Sequence, residues 1–586
     1  MLTAIRDIGR WLRRTKNIEE LETLIQAPFE NTDKKFVLFV KINIDESKYE
    51  GVVREDYDST KIQRYLYRRG SSNGPNTTPA AKITDDVEKK TFPQKITAWF
   101  KKYRDLDDTG IVAQIGDVLL NNQNKIIEDI KNALRKDDKN VLLTIKVVKQ
   151  NQEHYLGDLE VFRTLLKTIV NTQVGKGSTA KHICSICGEK KQVSGDPRIF
   201  NFYTIDKPGF IAGGFNKADA WKNFPLCYEC KLDIEEGRRY VEQKLQFKFH
   251  GLNYFLIPRL LFSDVQPELM KILLDTKKII SLKEQAKKRI TNDENDILEI
   301  VSREKDVLTV NFLFLRIRKN RSDEPILLLI EDIFPSRLRE IFAAKDRVDT
   351  LFSRSDYDDF TFEKIRTFFA HSSEGKRDYD LDKYFLEIVD ATFRGKKIDF
   401  SFLIEFCMAV IRREFIKEER EGDFKKRVDD ALMVVMFLKE LGLLSFKEAS
   451  SMKESIFSEV FKKYAGMLNS PEKTGVFLLG ALTQLLLSKQ YSVRGAKPFK
   501  KHLKGLRMDE KDFRALLPKV QHKLEEYDSF DKGKAQIAEA VSRSFLEAGE
   551  NWKVAVDELN FYFVCGMNLA PEIAAVVYKD KKEKEV

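Results

Sequence analysis

Four cysteines carry the clearest chemistry in the chain. They fall in two pairs, Cys184 and Cys187 in HICSICGEKK and Cys227 and Cys230 in FPLCYECKLD, with 39 residues between the pairs. A CxxC spacing lets two thiolates converge on one ion from a tight knuckle. Two knuckles complete a tetrahedral sulfur shell, a geometry that zinc accepts. With four sulfurs there is no open position, so the expected Zn2+ is structural rather than catalytic. His182 is read as a neighbour of the site. The other two cysteines, Cys407 and Cys565, sit inside apolar helical patterns and read as small buried hydrophobes.

Three stretches have the chemistry to meet polyanions. In RYLYRRGSSNGPNTTPAAK, an alternating strand-like run delivers arginines to a loop of hydroxyls, amides and exposed backbone N–H groups. Such a loop suits phosphate oxygens. Its candidates are Arg64, Arg68, Arg69, Ser71, Ser72, Asn73, Asn76 and Lys82. Between the cysteine pairs, DKPGFIAGGFNKADAWKNFP offers a glycine-rich loop with Gly213, Gly214, Asn216 and Lys217. Its backbone could approach a ligand closely. Further on, no acidic residue occurs between Glu472 and Asp509, while Lys489, Arg494, Lys497, Lys500, Lys501, Lys504 and Arg507 place seven positive charges in 19 residues. Tyr491 and Phe499 are interleaved, a mix that suits a phosphate backbone with occasional base stacking.

The elements that must carry these residues change character along the chain. Residues 35–44, 50–58, 62–69 and 140–150 read as strands, and 92–106, 115–136 and 159–173 have helical spacing. Strand patterns return at 252–262, 308–319 and 325–333, with a charged helical pattern at 266–305. From about 350 only helical periods remain, at 379–394, 400–418, 424–443, 452–467, 473–489, 510–527, 532–548 and 552–568. The expected fold is an α+β N-terminal part with an inserted four-cysteine zinc finger, followed by an all-α helical bundle. The expected units are 1–180, with the basic loop at 64–82, then 181–235, the finger, 236–349 and 350–586.

The chain has 586 residues, 42% hydrophobic and 33% charged, and a net charge of +10. That length exceeds one core, and the mild positive balance permits a nucleic-acid partner without demanding one. No apolar run reaches the roughly 18 residues of a membrane span, and residues 1–25 read as a folded helix rather than a signal peptide. A cytoplasmic protein without a membrane is expected. No Walker A motif, HExxH, GxSxG or deaminase signature is present, and the six histidines are scattered. A non-enzyme is therefore expected.

Taken in order, YLYRRGSSNGPNTTPAAKIT followed by KTFPQKITAWFKKY, then CSICGEK, FNFYTIDKPGF and FPLCYEC, and a helical last part, resemble the large subunit of type I-B CRISPR effector complexes, or Cascade. The resemblance spans most of the chain. It implies a non-catalytic subunit that reads the protospacer-adjacent motif (PAM) in double-stranded target DNA and supports R-loop formation. The implied partners are the guide CRISPR RNA, target DNA, the backbone, handle-binding and small subunits, and a separate helicase-nuclease that it recruits. Base pairing would read the long target while protein reads a few base pairs and backbone. The last part, from about 452 to 586, would resemble the small subunit, with Met452 a candidate internal start. Two readings compete: a zinc-ribbon nuclease or polymerase-like enzyme with a cryptic carboxylate site, and a structural zinc protein with protein partners only.

Overall fold

A first sheet of five strands forms from β1 (Phe36–Asn43), β2 (Lys48–Asp56), β3 (Ala81–Lys82), β4 (Val141–Lys149) and β5 (Gln152–Tyr155). Its order is β2-β1-β4-β3, with β5 paired to β4. β1 and β2 form an antiparallel hairpin, whereas β1 and β4 run parallel. A parallel pair needs a crossover, and the intervening residues supply one through helices. Both central strands are buried on both faces, which is why they read as near-continuous apolar runs. Leu38, Val40, Leu143 and Ile145 pack beneath α5 (Ile111–Asn121), α6 (Gln123–Ala133) and α7 (Glu160–Thr172). On the other face, Val37, Phe39 and Leu142 are covered by Phe29, Tyr65, Tyr67 and Ala80.

The computed structural model describes the chain except residues 30–33, 71–73, 85, 173–180, 195–220, 250–251, 261–307, 317–324, 353–357, 374–379, 418–420, 445, 447–454, 465 and 579–586. The helical pattern at 266–305 and Met452 lie outside the described residues. So do Ser71, Ser72, Asn73, Gly213, Gly214, Asn216 and Lys217.

The expected strand at 62–69 is not one. Residues Ile62–Tyr65 form a short helix, α3. Asp58 caps the turn that leads into it, accepting the Thr60 N–H at 2.9 Å, and Leu66 then turns the chain with a φ of 53°. A local aspartate cap thus overrides the alternating pattern. The expected helix at 92–106 begins earlier. Residues Val87–Thr97 form wide π-type turns around Pro93, which has no N–H to give, and α4 (Ala98–Tyr103) follows.

A second sheet, antiparallel throughout, has the order β12-β11-β10-β9. Its strands are β9 (Gln246–Phe249), β10 (Leu252–Leu260), β11 (Leu308–Leu315) and β12 (Ile326–Ile333). Two helices from distant parts of the sequence, α1 (Leu2–Thr15) and α8 (Tyr228–Lys244), pair beside it. They cross with backbones nearly touching. A Cβ on Gly9 would stand 1.8 Å from the Asp233 carbonyl oxygen, and one on Gly237 would stand 1.9 Å from that of Ile5. Only glycine permits that approach.

The remaining chain is helical, as expected, and shares one continuous core with the second sheet. Phenylalanines stitch the two together. The ring of Phe249 lies 5.0 Å from Phe362 and 6.0 Å from Phe385, and Phe312 lies 4.8 Å from Phe393. A helix at Pro335–Leu351, not anticipated from its pattern, opens this part with proline at its first position. The expected helix at 452–467 is described only as Ser458–Lys463, whereas that at 473–489 extends over Pro471–Arg494. No single described helix is long and apolar enough to cross a membrane. One pair, Val556–Asn568 and Ala570–Val577, passes by length and composition together, but it is bent by 60°, and its first member is mostly buried in the core.

Candidate metal knuckle and nucleic-acid surfaces

The four paired cysteines converge. Their sulfurs all lie within 4.8 Å of one another, and Cys187 Sγ is 3.9 Å from Cys227 Sγ. The first knuckle is a tight turn between β6 (Lys181–Ile183) and β7 (Lys190–Ser194). The Cys184 N–H donates to the Glu189 carbonyl at 2.9 Å, and the Gly188 N–H donates back to the Cys184 carbonyl at 2.9 Å. Gly188 sits in the left-handed region, at a φ of 73°. The second knuckle leaves β8 (Leu226–Cys227) and enters α8, so that Cys227 precedes the helix and Cys230 lies in its first turn. A helix N-terminus favours thiolate there. A hydrogen bond from the Cys230 thiol, ahead of the opposing effect of burial, holds the pKa of Cys227 below the ordinary thiol range. Cys230, which supplies that proton, is pushed up by Cys227 and by burial. Four sulfurs in this arrangement could hold a metal ion that takes tetrahedral thiolate ligation. Among the described residues, they form the group of His, Cys, Asp and Glu side chains with that capacity.

The helix that starts at the knuckle also anchors the basic loop. On α8, Asp233 accepts from Arg13 at 2.7 Å and from Arg10 at 3.2 Å. Glu235 receives both guanidinium nitrogens of Arg68, at 2.7 and 3.0 Å, and Arg68 also donates to the Leu24 carbonyl at 2.7 Å. These side chains are only 11% and 15% exposed. Burial pushes Glu235 up, but the Arg68 charge and hydrogen bonds outweigh it and hold the carboxyl below its ordinary value. Arg239 donates to the Thr23 and Ile25 carbonyls at 2.8 and 3.2 Å. Arg68 is therefore an internal brace, which corrects the reading of it as a phosphate clamp.

Other candidates in this loop divide in the same way. Asn76 is 5% exposed. Its Oδ1 accepts the Gly70 N–H at 3.2 Å and its Nδ2 donates to the Ala80 carbonyl at 2.7 Å. It closes the loop from within, which corrects the reading of it as a nucleic-acid-binding residue. Arg64 binds Asp158 through two bonds of 2.8 Å and stacks 4.2 Å from the Tyr155 ring centroid. Arg69 is exposed, and its backbone N–H donates to Gln26 Oε1 at 3.0 Å. Lys82 is exposed and lies 5.5 Å from the Phe29 ring centroid. Sequence reasoning missed Lys95, whose ammonium donates to the Gly74 carbonyl at 2.5 Å. Burial, and then the charge of Arg69, lower its pKa.

The basic stretch is held at the end of the long Pro471–Arg494 helix. Gly495, at a φ of 62°, ends that helix, and Phe499 then plugs the core at 5% exposure. The structure corrects the expectation that Phe499 stacks on bases. Arg494, Lys501 and Arg507 are exposed, while Lys489, Lys497 and Lys500 are half-buried. Lys500 lies 4.4 Å from the Phe415 ring centroid. Lys504 is exposed and paired with Asp512 at 2.5 Å, an ion pair that solvent screens. The helix Glu510–Glu526 adds Lys519 and Lys523, one turn apart. Burial first, and then Lys501, Lys519 and Lys523, depress His502. The signal for those two lysines was their four-residue spacing on a helix.

Comparison with protein families covers nearly the whole chain. Residues 1–168, 181–333 and 360–582 match the N-terminal, central and C-terminal domain models of one family, CRISPR-associated protein TM1802. The central match takes in both cysteine knuckles, α8 and the second sheet. No curated protein matches the chain. Across all three of its domains the chain belongs to the TM1802 family of CRISPR-associated proteins.

Proposed function

We propose that this chain is the non-catalytic large subunit of a type I-B Cascade complex. In this reading it binds guide RNA and double-stranded target DNA among sibling subunits in the cytoplasm. It reads the PAM, supports R-loop formation and presents the complex to a separate helicase-nuclease. The four thiols hold a structural zinc ion that seats α8. The reading rests on one observation above the others: in a CRISPR-associated chain, residues 473–508 carry no carboxylate, and Arg494, Lys501, Lys504 and Arg507 within them are exposed. Arg69, Lys95 and Lys82 supply a second positive region near the first sheet.

The test is DNA binding as a function of salt. Lys497→Glu, Lys500→Glu and Lys501→Glu together should weaken binding and flatten the slope of log affinity against log salt, by about 0.9 on a duplex or about 0.7 on a single strand for each phosphate that is no longer neutralised. An unchanged slope would refute the placement. Robust magnesium-dependent cleavage by the purified chain would overturn the non-catalytic role.

A further inference from the structure

We infer that Tyr491 is a stacking platform for an unpaired base, so that the basic surface takes single-stranded nucleic acid rather than a closed duplex. The inference rests on the proposed function and goes further, naming the form of the ligand. Among the described residues, Tyr491 and Phe334 are the aromatic side chains left markedly exposed, Tyr491 at 58%. Phe334 lies at the start of the Pro335–Leu351 helix, whereas Tyr491 stands in the basic stretch itself. Val493, two residues on, is 56% exposed.

The local fold presents the ring rather than hiding it. The Gly495 N–H donates to the Tyr491 carbonyl at 2.8 Å, which closes the last helical turn. The chain then doubles back, and Lys497 Nζ comes to 5.4 Å from the Tyr491 ring centroid. An ammonium near a π-face is favourable. It also places a charge where the phosphate next to a stacked base would lie. Two carboxylates of the neighbouring helix are engaged: Glu526 pairs with Lys523 and His522, and Asp512 with Lys504. Glu526 also lies within electrostatic reach of Arg494.

A polyanion is the occupant that matches this charge. Bases inside a duplex already spend both faces on their neighbours, so an exposed phenol ring gains little from one. An unpaired strand offers a free face, and each stacked base contributes in a sequence-tolerant way. DNA and RNA share that chemistry.

The experiment uses the full chain and fluorescence anisotropy with three labelled ligands of equal length: oligothymidylate, an abasic phosphodiester strand and a duplex. Wild type should bind oligothymidylate more tightly than the abasic strand. Tyr491→Ala should weaken oligothymidylate binding roughly 5- to 100-fold, barely alter the other two, and leave the salt slope intact. Tyr491→Phe and Tyr491→Trp should restore the preference. The oligothymidylate measurement is repeated with oligouridylate of the same length: loss on the first alone, or on both, tells whether the strand is DNA or either acid. Absence of a wild-type preference for bases, or a preference that survives Tyr491→Ala, overturns the inference. If the triple lysine variant flattens the slope while Tyr491→Ala changes nothing, stacking fails and the proposed function stands. An unchanged slope in the triple variant refutes the placement of nucleic acid on this surface instead.

Discussion

Cutting the Arg68–Glu235 brace tests whether the knuckle helix holds the loop beside the first sheet. In Arg68→Met the carboxylate of Glu235 stays where the Lys231 and Arg239 charges cushion it. The loss should therefore fall at the lower end of the range for breaking a buried pair, about 3 kcal/mol. Glu235→Met leaves Arg68 with its bond to the Leu24 carbonyl, and a similar cost is expected. The double variant removes both charges and should cost less than the sum, with a coupling of about 2 kcal/mol. Urea unfolding of the full chain can read this through Trp99, whose indole N–H donates to the Thr77 carbonyl at 3.0 Å. That bond ties the reporter to the loop being released. Strict additivity of the two single variants would show that the pair does no bracing, and the argument would fail.

Three further outcomes are expected. Purified chain should carry one tightly held zinc ion by elemental analysis, and Cys184→Ser or Cys227→Ser should lose it, with an apparent binding energy on the order of 10 kcal/mol at stake. Gly9→Ala should lower thermal stability by about 1–3 kcal/mol, because α1 must move off the Asp233 carbonyl; a melting curve that matches wild type would contradict the crossing. The pH dependence follows from Glu235, whose folded pKa lies below the ordinary 4.5. Its contribution is fully present above about pH 4.5 and fades as pH falls through the folded value. Glu235→Gln should remove that part of the acid sensitivity, as measured by urea midpoints against pH.

Much of this architecture could be read before any coordinates. The cysteine spacing anticipated the convergence of four sulfurs because a CxxC turn is local chemistry. The apolar runs of β1 and β4 and the helical periods after residue 350 were also local signals. What escaped was pairing at long range. Nothing in the residues around Arg68 tells that its partner lies 167 positions away, and an arginine beside a polar loop reads the same whether it faces phosphate or Glu235. Asn76 escaped for a similar reason, since an asparagine looks alike at a binding edge and inside a turn. Residues 62–69 show a different limit. Their alternation was real, with Tyr65 and Tyr67 joining one core and Leu66 the other. No neighbouring strand edge received them, and the Asp58 cap decided the conformation.

The α1–α8 crossing carries a consequence for biosynthesis. Arg10 and its acceptor Asp233 are 223 residues apart, so α1 leaves the ribosome long before the surface it covers exists. At about 5–20 residues per second the interval is roughly 10 to 45 seconds. Through that time the apolar stripe of Ile5, Ile8 and Leu12 has no permanent cover. The nascent chain must rely on transient shielding, and slow codons placed before residue 237 would lengthen its exposure.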